Sequence, residues 1–154
     1  MILRPGRRDD ASALRALVSA ALVEHGLVPD PTGTDADLDD VEASYVAKGG
    51  MFEVLVDAEG VVRGSVGLAP LGDGVCELRK MYLDPAARGH GHGRRLLERA
   101  IAEAKRLGFR RIELETAAPL RSAMALYERY GFRRLERPPH VSRCDRAYAL
   151  DLDA

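Results

Sequence analysis

The sequence predicts a mixed α/β fold in which helices cover a single sheet. Short runs rich in β-branched residues alternate with segments whose apolar residues keep helical spacing, and glycine- or proline-rich turns separate them. In the second half, one long amphipathic helix lies between two β-rich runs, which is typical of a strand–helix–strand crossover. A chain of 154 residues is long enough for one such domain, which we expect to span residues 1–154.

Composition excludes several classes of protein. Hydrophobic residues make up 46% and charged residues 31% of the chain, so a buried core is expected and disorder is not. The net charge of −1 argues against a nucleic-acid or membrane-surface binder. The chain has no apolar run near the roughly 20 residues of a membrane helix and no signal-peptide stretch. Its two cysteines form no disulfide framework, and we expect a cytoplasmic domain.

The first part of the chain is predicted to hold a short strand and a helix. Residues 2–4 form the strand, which a Pro-Gly turn ends. Asp9 or Asp10 is expected to cap the helix that follows. Its apolar residues recur on one face: Leu14, Leu17, Val18, Ala21 and Leu22. Gly26 is expected to end this helix.

Residues 27–40 are predicted to form a loop rich in proline, glycine and aspartate. We interpret it as a solvated acidic segment. The alternative is that it forms one wall of a binding site that prefers cations. Leu38, Val41 and Tyr45 then indicate a short second helix, which a Gly-Gly pair ends.

The rest of the chain is predicted to hold a hairpin, a crossover and two final strands. Residues 52–56 and 61–68 form the hairpin, because the Asp-Ala-Glu-Gly segment between them has turn chemistry. The further predicted elements are a strand at 75–83, a helix at 91–107 that Gly108 ends, a strand at 111–115, a helix at 122–130, and strands at 132–135 and 147–152. The predicted order is therefore β-α-α-β-β-β-α-β-α-β-β.

A glycine-rich loop, Arg88-Gly-His-Gly-His-Gly93, lies between the strand at 75–83 and the long helix. Closely spaced glycines let backbone N–H groups point to one place, and the start of a helix adds free N–H groups and a partial positive charge. Together they predict an anion site suited to a pyrophosphate. A Walker loop needs Gly-Lys-Ser/Thr, which is absent. A dinucleotide fingerprint also fails, because Arg94 and Leu96 stand where its last glycine is required.

Two segments resemble the GNAT superfamily of N-acetyltransferases. The loop fits Arg-x-x-Gly-x-Gly, the acetyl-CoA motif of that superfamily, at Arg88, Gly91 and Gly93. Residues 123–132, Ala-Met-Ala-Leu-Tyr-Glu-Arg-Tyr-Gly-Phe, resemble the superfamily's A-x-x-L-Y-E-x-x-G-F segment. The two segments have the superfamily's order, and the match covers residues 77–132. The resemblance implies a GNAT-like acyltransferase fold with acetyl-CoA as co-substrate.

The resemblance implies two groups of cofactor-binding residues. The pyrophosphate lies on backbone groups of the loop, which are those of Arg88, Gly89, His90, Gly91, His92, Gly93 and Arg94. The pantetheine arm pairs like an extra strand with backbone groups of Met81, Tyr82 and Leu83. A bulge near Met81 would open the groove, and the Met81 N–H would face the thioester carbonyl. Many members hold the pantetheine with Asn or Gln where this chain has Leu120, so backbone groups around Thr116 are expected to replace that contact.

The resemblance also implies two catalytic residues. Tyr127 stands where the family often has a tyrosine near the thioester sulfur, and a phenol can help protonate a thiolate whose pKa is about 8.5. The alternative is a core tyrosine with a satisfied hydroxyl. Glu77 stands where some members have a general base, which helps because only about one amine in 10³ is neutral at pH 7. The alternative for Glu77 is a solvated strand carboxylate paired with Arg79.

The leading hypothesis is an enzyme that moves an acetyl group from acetyl-CoA to a primary amine of a small molecule or amino acid, by direct attack in a ternary complex. The alternatives are a non-catalytic acyl-CoA sensor and a protein lysine or N-terminal acetyltransferase. The resemblance places residues 137–146 near the acceptor, where His140, Arg143 and Asp145 are candidate contacts. A homodimer is a general expectation for so small a domain, and no nucleic-acid or membrane partner is expected.

A metal site at the two loop histidines and a catalytic cysteine are two further interpretations that we do not favour. His90 and His92 have no evident third ligand nearby in the sequence, so no metal site is expected. Cys144 would need a lowered thiol pKa to act as a nucleophile, and the sequence does not show one.

Overall fold

A computed structural model describes residues 1–152 and confirms the mixed α/β fold. Its strands are β1 (Ile2–Pro5), β2 (Met51–Val56), β3 (Val62–Gly72), β4 (Val75–Leu83), β5 (Arg111–Thr116), β6 (Arg133–Arg134) and β7 (Arg146–Asp151). They form one seven-stranded sheet with the order β1-β2-β3-β4-β5-β7-β6. Within this sheet β4 and β5 pair in parallel, and the other neighbours pair antiparallel.

Helices cover both faces of the sheet. They are α1 (Ala11–Glu24) on one face, and α2 (His92–Arg106) and α3 (Arg121–Arg129) on the other. Strand side chains alternate between the two faces, so the core has two clusters. One joins α1 to Tyr45 and Phe52. The larger joins α2 and α3 to the sheet and includes Tyr127 and Phe132.

Helix α1 buries all five apolar residues that were predicted to share one face. It begins after a 3-10 turn, Arg8–Asp10. Asp10 stands at the N-cap position, but its carboxylate makes no capping bond to α1. It accepts a hydrogen bond from the Arg7 N–H at 2.7 Å and pairs with Arg4 at 2.8 Å. The side chain therefore ties the start of the helix to β1 instead of capping it.

The interpretation of residues 27–40 as a solvated loop is wrong for the centre of the loop. Asp35 is only 4% exposed and Leu38 only 1%. The aspartate is buried because it pairs with Lys80 of β4 at 3.2 Å and with Arg143 at 2.7 Å. The loop consequently packs onto the sheet near the strand that precedes the glycine-rich loop.

Two predicted elements are shorter than expected. The second helix is a single π-helical turn, Glu42–Val46, although its apolar spacing was correct because Tyr45 is buried. The strand predicted at 132–135 is the two-residue β6. Phe132 lies before this strand because its N–H donates to the Tyr127 carbonyl, and its ring is buried against Tyr127, with ring centroids 5.6 Å apart.

Strand β4 has the two irregularities that open the site. Opposite β3, its register skips Lys80 and Met81, so the bulge expected near Met81 is present. Beside β5, it pairs only from Val75 to Glu77, and the two strands then diverge. The divergence leaves a gap in the sheet between the second half of β4 and the end of β5.

None of the helices within residues 1–152 combines the length and the hydropathy that crossing a bilayer requires.

Candidate active site

Two cavities meet in the gap between β4 and β5. The first, which we call the β4–β5 cavity, has a volume of about 330 Å³ and lies where the strands diverge. The second, the glycine-loop cavity, has a volume of about 250 Å³ and extends toward the start of α2. The two share four lining residues, Met81, Tyr82, Leu120 and Ala123. They therefore form one continuous groove, with the glycine-rich loop at one end and the paired part of β4 and β5 at the other.

The loop before α2 has the backbone conformation of an anion site. Gly89 and Gly91 have φ of +82° and +79°, a region that side chains with a Cβ rarely adopt. The N–H of Arg95 donates to the Gly91 carbonyl at 3.1 Å, and this is the first backbone hydrogen bond of α2. The N–H groups before it in α2 have no acceptor within the helix, and they carry its partial positive charge.

The predicted cofactor-binding residues divide into two sets. Those that line the groove are Met81, Tyr82, Leu83, Arg88, Gly93 and Thr116. The other five do not line either of the described cavities. They lie on the glycine-rich loop and the first turn of α2, and they are Gly89, His90, Gly91, His92 and Arg94. A pyrophosphate on this loop would therefore lie at the outer end of the groove.

Arg88 is engaged by the protein itself. Its guanidinium binds both carboxylate oxygens of Glu24, at 2.6 and 2.8 Å, and donates to the Leu83 carbonyl at 3.1 Å. Its backbone N–H donates to the Pro85 carbonyl. The residue thus links the end of α1 to the base of the loop.

Tyr127 lies on α3 at the β4–β5 cavity. Its ring is 6% exposed and packs between Phe132 and Tyr148. Among residues 1–152 no group forms a hydrogen bond with its hydroxyl, and the side chain lines the cavity. Burial raises the pKa of Tyr127, so the phenol stays protonated. The hydroxyl is therefore available to a bound molecule, unlike that of a tyrosine whose role is only structural.

Glu77 also lines the β4–β5 cavity, at the last position where β4 pairs with β5. It forms an ion pair with the Nε of Arg79, which was one of the two predicted arrangements. It is not a solvated surface carboxylate, because its side chain is only 14% exposed. A carboxylate in this position can contact a molecule in the cavity while it also orients Arg79.

A buried ionic cluster that the sequence did not reveal closes one side of the same cavity. Lys80, in the bulge of β4, contacts Asp35 and Asp37 at 3.2 and 3.1 Å. Arg143 binds both oxygens of Asp35. Burial raises the pKa of Asp35, but hydrogen bonds from Arg143 and the Asp30 N–H outweigh it and lower the pKa to about 2. The cluster joins the acidic loop, β4 and the segment before β7.

Glu115 holds the segment at 138–141 against the cavity. Its carboxylate accepts hydrogen bonds from the N–H groups of His140 and Val141 and from Arg137. Burial opposes the charged form, but these donors lower the pKa of Glu115. Three donors on one carboxylate leave it little capacity to accept a proton from a substrate.

The three candidate acceptor contacts of the 137–146 segment differ in position. Arg143 lines the β4–β5 cavity. The ring of His140 is on the surface beside Glu115, with its side chain 78% exposed. Asp145 pairs with Arg146 and accepts from the Ala118 N–H. Of the three, only Arg143 is among the residues that line the groove.

Neither thiol has the environment of a nucleophile. Cys144 lines the β4–β5 cavity, and burial raises its pKa to about 11. Cys76 is fully buried, and burial raises its pKa to about 12. Within residues 1–152 no cluster of three His, Cys, Asp or Glu side chains is placed to hold a metal ion.

The mixed sheet splits at one parallel strand pair, with a bulge beside the split and a glycine loop at its mouth, which is the arrangement that the resemblance to acyltransferases implies. Sequence comparison identifies which group of acyltransferases the chain joins. The profile of the acetyltransferase (GNAT) family matches residues 17–132. The chain therefore belongs to the GNAT acetyltransferase family.

Two curated relatives match most of the chain. It is 37% identical over 140 residues to the uncharacterized N-acetyltransferase YjgM of Escherichia coli K12, covering 88% of this chain and 83% of that protein. It is 30% identical over 129 residues to the uncharacterized N-acetyltransferase C1271.07c of Schizosaccharomyces pombe, covering 83% and 79%.

Solved structures have the same fold over the whole chain. A GNAT-family acetyltransferase from Staphylococcus aureus Mu50 superposes with a TM-score of 0.92 at 26% identity, covering 99% of each chain. YncA from Salmonella typhimurium, whose structure contains its cofactor acetyl-CoA, superposes with a TM-score of 0.78 at 25% identity, covering 100% of this chain and 95% of that one.

Proposed function

We propose that this chain, acting as one domain over residues 1–154, transfers the acetyl group of acetyl-CoA to a primary amine of a small molecule or amino acid. The observation that supports this most directly is the continuous groove, which joins an anion-binding loop to the hydroxyl of Tyr127, which no described residue engages. The acetyl-CoA present in the structural relative YncA supports the identity of the donor.

The donor would lie along the groove with its pyrophosphate at the loop. The backbone of Gly89 to Arg94 presents N–H groups there, and α2 adds the positive end of its dipole. The pantetheine arm would then follow Met81, Tyr82 and Leu83, because the first two line both cavities and Leu83 lines the glycine-loop cavity. Leu120 offers only an apolar contact at the junction. The acetyl group would therefore reach the bulge, beside Tyr127.

The transfer is a direct displacement. The neutral amine attacks the acetyl carbonyl carbon, the N–C bond forms, and the C–S bond breaks as coenzyme A leaves. The N–H of Met81 would stabilise the negative charge that develops on the carbonyl oxygen. Tyr127 would donate its proton to the leaving sulfur, since a thiolate of pKa about 8.5 is stabilised by a phenol donor. The raised pKa of Tyr127 keeps its hydroxyl protonated, so it is a hydrogen-bond donor when charge develops on sulfur, and solvent returns the donated proton after coenzyme A leaves.

Glu77 would accept the proton that the amine loses. It lines the same cavity as Tyr127, and an amine must be neutral to attack. Its carboxylate is also paired with Arg79. The expected signature of Glu77→Gln is a rate that saturates at a higher pH than in the wild type. An unchanged pH profile would remove Glu77 from the mechanism.

The proposal is tested by measuring thiol release from acetyl-CoA across a panel of amines, amino acids and lysine peptides, with mass detection of the acetylated product. Acetylation of a small amine would support it. Clear calorimetric binding of acetyl-CoA without turnover of any acceptor would favour the acyl-CoA sensor instead. The absence of any binding would mean that the loop does not hold the donor.

Protein acetylation is a less favoured alternative. It would use the acidic loop to attract lysine-rich segments, but Asp35 and Asp37 at the centre of that loop already have Lys80 as a partner. Preferential acetylation of lysine peptides in the same panel would favour protein acetylation over acetylation of a small molecule. A cytoplasmic location and a homodimer stay predictions, which fractionation and light scattering would test.

A further inference from the structure

Three cationic side chains line the β4–β5 cavity, namely Arg79, Lys80 and Arg143. The ammonium of Lys80 is fully engaged, because it contacts Asp35, Asp37 and the Thr34 carbonyl. Its side chain is 5% exposed. Neither its charge nor its donors are available to a ligand.

Arg143 is engaged in the same way. Its two terminal nitrogens bind the two oxygens of Asp35 at 2.8 and 2.7 Å, and one of them also approaches the Val28 carbonyl. Its side chain is 12% exposed. Arg143 thus maintains the wall of the cavity.

Arg79 differs from both. Its Nε donates to Glu77, but its two terminal nitrogens have no hydrogen-bond acceptor among residues 1–152. Its side chain is 38% exposed, and it lies on the same strand as Glu77, two residues before Met81 in the bulge. Tyr45 and Asp37 also lie near its guanidinium, but the Tyr45 hydroxyl donates to Asp37. Arg79 lines the cavity, so its terminal N–H groups are available to a ligand there.

The terminal edge of a guanidinium matches one group above all. Its parallel N–H donors fit the two oxygens of a carboxylate, and such charge-assisted pairs are stronger than neutral hydrogen bonds. The acids of the cavity do not meet this need, because Glu115 has its own donors and Glu77 contacts only Nε. A ligand that brings a carboxylate to Arg79 would place an adjacent amine near Glu77.

Apolar side chains also line the cavity. They include Leu22, Leu27, Leu78, Leu120 and Val141. A cavity of about 330 Å³ is at the small end of ligand sites. It suits a compact acceptor with a charged end and an apolar body.

We propose that the acceptor is a free α-amino acid with an apolar side chain, whose carboxylate binds the terminal nitrogens of Arg79. This inference rests on the proposed acetyl transfer and names its substrate class. Arg79 is then the residue that selects the acceptor, and Glu77 faces the amine of the same molecule. The apolar wall receives the side chain.

The test compares two acceptors that differ only in the carboxylate. L-Leucine and 3-methylbutylamine have the same branched chain and one primary amine each. The quantity measured is the ratio of kcat/KM for leucine to kcat/KM for 3-methylbutylamine, in the wild type and in Arg79→Gln. Differences in amine basicity, and any effect on Glu77, act on both acceptors and cancel when the ratios are compared.

The wild type is expected to prefer leucine, and Arg79→Gln is expected to lower the ratio about 10- to 100-fold, because one charge-assisted pair is lost. Arg79→Lys keeps the positive charge but loses the two parallel N–H donors, so it should lower the ratio less than Arg79→Gln does. The matched control is Arg129→Gln, a change at an exposed arginine outside both cavity linings, which should leave the ratio unchanged. A wild type with no preference, or a ratio that survives in Arg79→Gln, overturns the proposal.

A binding measurement gives a readout that does not depend on turnover. In the presence of coenzyme A, N-acetyl-L-leucine should bind more tightly by calorimetry than N-(3-methylbutyl)acetamide, and Arg79→Gln should remove the difference. Equal binding of the two products by the wild type contradicts the role of Arg79 even if acetylation occurs. Binding of acetyl-CoA without acetylation of either acceptor overturns this inference, while acetylation of another amine in the wider panel would leave the proposed function standing.

Discussion

The two ends of the groove are built in different ways. At the loop end, binding groups belong to the backbone of one short segment, and Gly89 and Gly91 fix their direction through positive φ values. At the β4–β5 end, the wall is made of side chains from the acidic loop, β4, β5, α3 and the segment before β7. Ion pairs such as Lys80 with Asp35 hold those separate pieces together. A common donor can be bound by backbone geometry, whereas the acceptor cavity depends on side chains that substitution can change freely.

The largest effect is expected from removing Lys80, the cation at the centre of the ion pairs that hold the β4–β5 end together. Lys80→Met leaves Asp37 without its cationic partner and Asp35 with Arg143 alone, and removing one partner of a buried ion pair typically costs about 3–5 kcal/mol. Urea unfolding would measure the loss. Lys48→Met is the matched control at an exposed position, with an expected change within about 0.5 kcal/mol. Equal midpoints for the two variants would show that the cluster does not support the wall.

The next largest effect is expected where the two ends meet. Tyr127→Phe removes the hydroxyl that would protonate sulfur, and kcat should fall about 10²-fold or more, with little change in the Kd of acetyl-CoA. Steady-state kinetics and calorimetry would separate the two effects. Tyr130→Phe is the control, since its hydroxyl bonds Glu98 at the surface. A loss of donor affinity without a loss of kcat would assign Tyr127 to binding only.

A pH titration sharpens the comparison at the β4–β5 end. Asp35 has a pKa of about 2 in the folded protein against an ordinary value of 3.8, so its charged form stabilises the fold. That contribution, about 2 kcal/mol, is complete above pH 4 and is lost as the pH falls toward 2. The difference in unfolding free energy between wild type and Asp35→Asn should therefore shrink over that range. A constant difference would show that the ionised carboxylate contributes nothing.

The smallest effect on stability is expected at the loop end, where a substitution strains the backbone but removes no side-chain contact. Gly91→Ala puts a Cβ at φ +79° with no neighbour within 4 Å, so the cost is backbone strain of about 1–2 kcal/mol. Gly93→Ala has no such strain, and its Cβ would meet Leu83 at an ordinary 3.6 Å. Thermal unfolding should therefore distinguish the two variants. If both are equally stable, the left-handed conformation is not what fixes this loop.

The same contrast explains what the sequence could predict. Strand 75–83, the glycine loop and Tyr127 on its helix follow from local spacing, and the structure places them where they were expected. Helical periodicity also predicted the face of α1. The bulge near Met81 followed from the resemblance.

The ionic cluster could not be predicted, because its partners are far apart in the chain. Asp35 and Arg143 are separated by 108 positions and Lys80 and Asp37 by 43. Local patterns show which residues carry charge but not which charges meet when the sheet forms. For the same reason, the free terminal nitrogens of Arg79 are visible only in the structure, since their availability depends on where the neighbouring charges have been used.

The chemistry of the two cysteines has a practical consequence for assay design. Cys144 has a pKa of about 11 and Cys76 of about 12. At pH 8 about one Cys144 in 10³ is a thiolate, and the thiolate is the form that reacts with chromogenic disulfides. Released coenzyme A, with an ordinary thiol pKa, reacts far faster. The colour that such a reagent develops during turnover therefore reports the product, with little background from the enzyme's own cysteines.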